Sequence, residues 1–267
     1  MSDGSEQLTV PQFARLKNSG RKIVMLTAYD YPSAAIVDRA GADGILVGDS
    51  LGMVVQGKNT TLPVTIEQMI YHAEMVSRAV RRAVVVVDLP FLTFQLGIPR
   101  AIENAGRILK ETAAQAVKLE GGKKQMELIA ALTDAGIPVM AHLGLRPQSV
   151  RTLGGYRVER DRERLLADAE AVQAAGAFAV VLECIPAAAA GEITRRLAIP
   201  TIGIGAGNET DGQILVYHDL LGYSPEERIP KHSRKYADLR SIISDAVRSY
   251  ADDVQTGRFP GPENTFS

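Results

Sequence analysis

The chain has 267 residues, of which 46% are hydrophobic and 23% are charged, so it has enough apolar material for a large core. A formal net charge of −1 argues against nucleic acid or an anionic membrane surface as a partner. The single cysteine, Cys184, excludes an internal disulfide and fits a reducing compartment. The sequence has no apolar run long enough to span a bilayer. Its N-terminus carries acidic residues and lacks the basic and then apolar segments of a signal peptide, so we expect a cytoplasmic protein.

Short apolar runs alternate with helical patterns from one end of the chain to the other. A lead-in helix is predicted from Pro11 to Asn18. Eight strands are predicted, at 22–27, 45–47, 83–88, 116–120, 137–142, 177–183, 201–205 and 214–217. Helices are predicted between them at 31–40, 65–80, 99–112, 123–135, 162–175 and 187–197, and a closing amphipathic helix at 235–254. The tail from Gly257 is predicted to be extended.

This alternation, with no break in composition, predicts an α/β fold: a single (β/α)8 TIM barrel domain over residues 1–267. An open doubly wound sheet is the alternative, but the first strand is not followed by the glycine-rich turn typical of that fold. The longest connection, residues 144–161, contains Gly154-Gly155-Tyr156. Connections of this length inside a compact domain are usually functional.

Charged and polar residues stand where several predicted strands end, which is where barrels of this kind build their active sites. These residues are Asp30, Asp49 with Ser50, Asp88, Lys118 with Glu120, His142, Glu183, and His218 with Asp219. Lys118 and Glu120 share one face of their strand because strand side chains alternate, so both should point into the barrel mouth. Carboxylates crowded there would repel one another, and a hard divalent cation, magnesium above all, would relieve that repulsion.

Each residue also has a simpler interpretation. Asp30 is better explained as the N-cap of the following helix, and Asp88 could be a turn residue before Leu89-Pro90. Lys118 and Glu120 could form a private ion pair, although that leaves the other acids unexplained. His142 is more often a hydrogen-bonded interior histidine than a ligand, so we assign it no contact with the metal.

Four longer motifs make the sequence similar to the ketopantoate hydroxymethyltransferase family, over nearly the whole chain from about Leu8. They are Val47–Met53 with Gln56-Gly57, Val117–Gly122, His142–Leu145 with Pro147-Gln148, and Gly203–Gly207 with Asp211–Leu215. The resemblance implies a transfer of a hydroxymethyl group from 5,10-methylenetetrahydrofolate to 3-methyl-2-oxobutanoate. The product is 2-dehydropantoate, on the route to pantothenate and coenzyme A.

The resemblance also implies roles for particular residues. It implies a magnesium ion held by Asp49, Asp88 and Glu120, on which the 2-oxo acid forms an enolate. Asp49, Ser50, Asp88 and Lys118 would form the substrate site, and Glu183 would be the catalytic base. A homo-oligomer, a decamer of two pentameric rings, is implied as well.

Two other functions are compatible with the sequence. The chain could be another magnesium-dependent enzyme of 2-oxo acids, such as a carbon–carbon lyase, which would need no folate. It could instead be a non-catalytic barrel in which Gly203–Gly207 holds a phosphate, although tight turns after barrel strands also use glycine.

Overall fold

A computed structural model of the protein describes residues 6–224 and 230–266. Within these residues eight parallel strands close into a barrel in chain order, each paired with the next and β8 with β1. The strands are β1 Ile23–Thr27, β2 Gly44–Val47, β3 Val84–Asp88, β4 Ala116–Glu120, β5 Val139–Gly144, β6 Ala179–Glu183, β7 Thr201–Ile204 and β8 Gly212–Leu215. The predicted (β/α)8 barrel is therefore confirmed.

In the described residues most helices lie between consecutive strands, and the last two follow β8. They are α1 Val10–Arg15, α2 Tyr31–Arg39, α3 Leu51–Val54, α4 Ile66–Ala79, α5 Ile98–Glu111, α6 Met126–Asp134, α7 Val150–Leu153, α8 Arg162–Ala174, α9 Ala187–Arg196, α10 Tyr217–Leu221 and α11 Leu239–Gln255. Thr65 caps α4 through a capping box with Gln68, at the start of the helix predicted from residue 65. Asp30 accepts a hydrogen bond from the Ser33 backbone N–H at the start of α2, which confirms the preferred interpretation of Asp30 as a helix cap.

The barrel interior is filled by alternate side chains of the strands. The cluster contains Phe13, Ile23, Met25, Leu46, Val84, Val86, Ala116, Met140, Ala179, Val181, Ile202, Ile204 and Ile214. Phe13 of α1 belongs to this cluster and packs edge-on against Phe178, with ring centroids 6.0 Å apart. Side chains two positions apart on a strand share a face. The polar residues at the strand ends therefore lie on the same inner face as these apolar residues and next to them.

Three sequence predictions need correction. The eighth strand was predicted at 214–217, but it runs from Gly212 to Leu215, and Tyr217 begins α10. The long connection after β5 is not a plain loop, since a 3-10 turn at Pro147–Ser149 and the short helix α7 lie within it. The tail contains a 3-10 turn at Pro262–Asn264 and is not simply extended.

The chain divides into two compact units, Met1–Val216, which holds the barrel, and Tyr217–Ser267. The prediction that the whole chain is one domain stays a prediction. In the described residues, the helices are too short or too polar to cross a membrane.

Candidate active site

The register of neighbouring strands brings the predicted polar residues together. Asp88 of β3 pairs with Lys118 of β4, and Glu120 of β4 pairs with His142 of β5. Asp88, Lys118 and His142 each lie two positions beyond an apolar residue of the barrel interior on the same strand face, and Glu120 lies two positions beyond Lys118. The barrel mouth therefore collects charged side chains above an apolar core.

A buried ion pair links β3 and β4. The Lys118 ammonium Nζ lies 2.7 Å from Asp88 Oδ1, and both side chains are almost fully buried. The other oxygen of this carboxylate, Asp88 Oδ2, accepts a hydrogen bond from the Asp49 backbone N–H at 3.0 Å. Asp88 thus joins the end of β2 to the end of β4, and its role as a simple turn residue does not account for these contacts.

A second chain of contacts runs from Lys118 to Glu183. Lys118 Nζ lies 3.2 Å from His142 Nδ1, and His142 Nε2 lies 3.1 Å from Glu183 Oε2. Since an ammonium group has only donors, Nδ1 accepts from Lys118 and Nε2 carries the ring hydrogen that faces Glu183. His142 Nε2 thus lies at contact distance from one oxygen of the Glu183 carboxylate, a contact that sequence analysis did not assign to it.

Gln148 connects the two remaining acids. Its backbone N–H donates to Glu120 Oε2 at 3.1 Å, and its side-chain Nε2 donates to Asp49 Oδ2 at 2.9 Å. The same Nε2 also donates to the Leu89 carbonyl at 2.9 Å. One buried residue of the β5–α8 connection therefore orients two carboxylates that come from β2 and β4.

Burial and mutual repulsion shift the ionisation of these acids. Burial raises the pKa of Asp49 to about 7, and the neighbouring Asp88 carboxylate adds to the rise. Burial, and after it the charge of Asp49, also raises the pKa of Glu120 well above its ordinary value. The protein alone thus places more carboxylates in this mouth than it can keep charged.

The basic groups respond in opposite directions. Burial works to lower the pKa of Lys118, but the charges of Asp88, Asp49 and Glu120 outweigh it and raise the pKa above its ordinary value. Burial, and then the Lys118 ammonium, lower the pKa of His142. The site therefore holds a charged lysine beside a neutral imidazole at neutral pH.

Ser50 lies at the edge of this cluster. Its Oγ is 2.8 Å from the Tyr29 hydroxyl, and the Tyr29 carbonyl is 2.6 Å from His72 Nδ1. The hydroxyl of Ser50 is thus oriented from the β1 side of the mouth. Two other predicted strand-end residues, His218 and Asp219, belong to the C-terminal unit.

The backbone around Glu183 is unusually close-packed. Gly144 has φ +91°, and a Cβ at this position would lie 2.1 Å from the Glu183 carbonyl oxygen. That carbonyl accepts a hydrogen bond from the Leu145 backbone N–H at 2.8 Å. Cys184, the next residue after Glu183, has φ +49°, which is uncommon for a residue with a side chain. The position of Glu183 is therefore fixed through its backbone as well as through His142.

Sequence reasoning missed the contacts of His142, Gln148 and Tyr29. His142 could have been found from alternation, because Met140 and His142 share the face of β5 that points into the barrel. Gln148 offers no such signal, since it lies in a connection whose path depends on the folded structure. Tyr29 lies two residues beyond the end of β1, but the residues around it in the sequence do not predict a partner.

The chemistry of the donors fits a hard divalent cation. Asp49, Asp88 and Glu120 bring carboxylate oxygens, the ligands that magnesium prefers, and the raised pKa values of Asp49 and Glu120 reveal a need for positive charge. In the part of the chain that the structure describes, no group of three histidine, cysteine, aspartate or glutamate side chains is already arranged to hold a metal. Binding would therefore require these carboxylates to exchange hydrogen bonds from Gln148 and Asp49 for bonds to the ion.

The Gly203–Gly207 segment does not form a phosphate cradle at a helix start. The residues between β7 and β8 are all described, and they lead from one strand into the next without a helix. The helix N-terminus that gives such loops their affinity for phosphate is therefore missing there.

Residues 7–262 match the model of a family described as ketopantoate hydroxymethyltransferase. A 3-methyl-2-oxobutanoate hydroxymethyltransferase of Rhodopirellula baltica is 54% identical over 260 residues, which cover 97% of this chain and 96% of that protein. A protein of the same name from Desulforapulum autotrophicum is 55% identical, with coverage of 97% and 98%.

Among solved structures, a phosphoenolpyruvate phosphomutase from Streptomyces platensis subsp. rosaceus superposes with a TM-score of 0.64 at 18% identity. The match covers 97% of this chain and 92% of that one. At this identity the likeness is one of fold alone, and it agrees with the barrel described above.

Proposed function

We propose that this chain, which belongs to the ketopantoate hydroxymethyltransferase family, transfers a hydroxymethyl group from 5,10-methylenetetrahydrofolate to 3-methyl-2-oxobutanoate to form 2-dehydropantoate. Family membership makes the chain an enzyme, a one-carbon transferase. The observation that carries the proposed chemistry is the meeting of Asp49, Asp88 and Glu120 with Lys118 and Glu183 at one barrel mouth.

The proposed cofactor is magnesium, held by Asp49, Asp88 and Glu120. Bound beside the 2-oxo acid, the ion would polarise the keto group and so acidify the neighbouring C–H bond. Replacing Asp88 by Asn should weaken magnesium binding on the order of tenfold or more. Calorimetric titration of the ion into Asp88→Asn and wild type measures this, and unchanged affinity would remove Asp88 from the proposed ligands.

The proposed substrate site uses Asp49, Asp88, Ser50 and Lys118. The buried Lys118 ammonium supplies a positive charge that can offset the carboxylate of the oxo acid. The Ser50 hydroxyl, oriented by Tyr29, can donate to a substrate oxygen at the edge of the mouth. These groups bind and orient the oxo acid so that its C3 faces the base.

The proposed base is Glu183, which takes the C3 proton of 3-methyl-2-oxobutanoate. His142 orients its carboxylate at 3.1 Å, and the close backbone approach of Gly144 fixes the end of β6. The Glu183 side chain is 17% exposed, so it can reach substrate from a partly water-excluded position. Once the proton is removed, C3 can attack the one-carbon unit of the folate and form the new C–C bond. Water then replaces the folate nitrogen on that carbon, which leaves the hydroxymethyl group on the product and releases tetrahydrofolate.

The experiment that tests the function is product formation by the purified enzyme with magnesium, the oxo acid and the folate donor. We expect 2-dehydropantoate to form only when all three are present. A carbon–carbon lyase would instead consume or release a 2-oxo acid without folate. If the oxo acid were consumed at the same rate with and without the folate donor, the proposal would be rejected in favour of that alternative.

We also propose a cytoplasmic homo-oligomer, a decamer. The support for association lies in α11, where Ile243, Val247, Tyr250 and Val254 follow one another at helical spacing and are all exposed. The number of ten subunits comes from the family resemblance. A monomeric protein rarely leaves such a stripe in water. Sedimentation should give about ten times the 28.7 kDa chain mass, and Val247→Asp should give smaller species. A wild-type monomer would contradict this proposal.

A further inference from the structure

We infer that Tyr156 and Met53 form the platform that binds the flat ring system of the folate donor. The inference rests on the proposed function. It concerns the binding of the folate ring, for which the carboxylate cluster offers no contact. The groups that form the cluster are charged or polar, whereas a bicyclic heterocycle needs an apolar surface against its face. Such a surface must therefore come from the rim of the mouth.

Tyr156 lies at this rim, close to the reacting groups. Burial raises the pKa of the Tyr156 phenol, and the charges of Asp49, Glu183 and Glu120 raise it further. These carboxylates come from the ends of β2, β6 and β4, which stand on different sides of the barrel. The contact of its hydroxyl with Met53, which lies on the helix that begins directly after Asp49 and Ser50, places the phenol at the β2 side of the mouth.

Met53 gives Tyr156 a partner from another connection. The Tyr156 hydroxyl lies 3.6 Å from Met53 Sδ. Met53 belongs to α3, which begins directly after Asp49 and Ser50. The contact therefore joins the β5–α8 connection to the segment that carries two of the proposed substrate-binding residues, and it combines an aromatic ring with a polarisable thioether.

Both side chains remain available to a ligand. Tyr156 is 49% exposed and Met53 is 37% exposed. Gly154 and Gly155 precede Tyr156 with φ +66° and +124°, so the chain turns sharply and extends the aromatic residue from the end of α7. This arrangement presents an aromatic face and a soft apolar surface next to the site where the one-carbon unit must arrive.

The test separates folate binding from the chemistry at C3. Tyr156→Ala should raise the KM for 5,10-methylenetetrahydrofolate on the order of tenfold, because ring stacking and apolar contact are both lost. It should exchange the C3 hydrogen of the oxo acid with deuterium at the wild-type rate, since that step needs no folate. Tyr156→Phe keeps the ring and should stay within about twofold of the wild-type KM.

Two further variants keep the test decisive. Met53→Ala should also raise the folate KM and leave the exchange rate unchanged, so the inference can be tested even if Tyr156→Ala folds poorly. Tyr71→Ala, which removes a 65% exposed tyrosine from the middle of α4, is the matched control and should change neither quantity.

The outcomes distinguish this inference from the proposed function. Wild-type enzyme that forms no product with folate would reject the function itself. Folate-dependent wild type with an unchanged folate KM in both Tyr156→Ala and Met53→Ala would reject the platform alone. Lost C3 exchange in Tyr156→Ala would also overturn the inference, because Tyr156 would then organise the oxo-acid site and not the folate site.

Discussion

Lys118 Nζ and Asp88 Oδ1 lie 2.7 Å apart inside the barrel mouth, on paired positions of β4 and β3. Because Lys118 also contacts His142, one buried cation connects a proposed metal ligand to the residue that orients the proposed base. The Lys118 side chain therefore couples the charge of Asp88, at the proposed metal site, to the orientation of Glu183, the proposed base.

Replacing Lys118 by Met removes this cation while keeping the length of the side chain. We expect the free energy of unfolding to fall by about 3 kcal/mol, since Asp88 is left buried without its partner. The KM for the oxo acid should rise far more than the KM for the folate donor, because only the oxo acid places its carboxylate near Lys118. Chemical denaturation and steady-state kinetics measure the two effects.

Lys110→Met, on the exposed side of α5, is the control for loss of a lysine and should behave as wild type. If Lys118→Met changed both KM values equally, the ion pair would be structural and the substrate role of Lys118 would be wrong.

The barrel and the carboxylates at its mouth could be predicted because both follow from local patterns. An apolar run that ends in an acid, as at Val84–Asp88, fixes the strand and the position of the charge at its end. The strands of a barrel are parallel, so such ends must meet at one face. The resemblance to a known family then identified which of the acids belong together.

What could not be predicted depends on contacts between distant segments. Gln148 reaches Asp49, which lies 99 positions earlier in the chain, and no periodic pattern encodes that approach. The eighth strand was misplaced because Gly212 and Gln213 have weak strand preferences, whereas their pairing with Ile23 and Val24 of β1 decides the outcome.

Gly144→Ala should damage catalysis through the backbone. An alanine Cβ would meet the Glu183 carbonyl oxygen, and a residue with a side chain is strained at φ +91°. We expect a loss of about 2 kcal/mol or more in unfolding free energy and a lower kcat, with magnesium affinity close to wild type. Urea denaturation, kinetics and calorimetry provide the three measurements.

Gly106→Ala is the matched control, because nothing lies within 4 Å of its added Cβ inside α5. This variant should be unchanged or more stable by up to about 1 kcal/mol. A fully active Gly144→Ala enzyme would show that the close approach of β5 and β6 does not position Glu183.

Asp43 should make stability depend on pH at the entrance to β2. Burial works to raise its pKa, but the Arg21 guanidinium and the Val24 backbone N–H outweigh burial and lower the pKa below its ordinary value. A lowered folded-state pKa means that the stabilisation is complete above the unfolded-state pKa and is lost as pH falls through the folded-state pKa.

Asp43→Asn should therefore unfold more easily than wild type at pH 7, by about 1–3 kcal/mol. The difference in unfolding free energy between the two proteins should stay constant down to about pH 5. It should then shrink as the solution becomes more acidic. Thermal unfolding of both proteins across this range measures this difference, and a difference that grows toward low pH would contradict the assigned direction.

Glu183→Gln tests the proposed base directly. Glutamine keeps the size of the side chain and its polar contact with His142, but it cannot accept a proton. The variant should bind magnesium and the oxo acid, yet exchange the C3 hydrogen of 3-methyl-2-oxobutanoate with solvent deuterium on the order of 10²–10⁴ times more slowly than wild type. Proton NMR of the C3 signal follows this exchange and needs no folate.

The contacts of Glu183 supply the control for this experiment. His142→Asn removes the ring that lies 3.1 Å from Glu183 Oε2 but leaves the carboxylate in place, so exchange should slow by less than in Glu183→Gln. Wild-type exchange in Glu183→Gln would show that another group removes the proton. Loss of oxo-acid binding in Glu183→Gln would instead assign Glu183 to substrate binding, because a residue that acts only as a base is not needed until the substrate is bound.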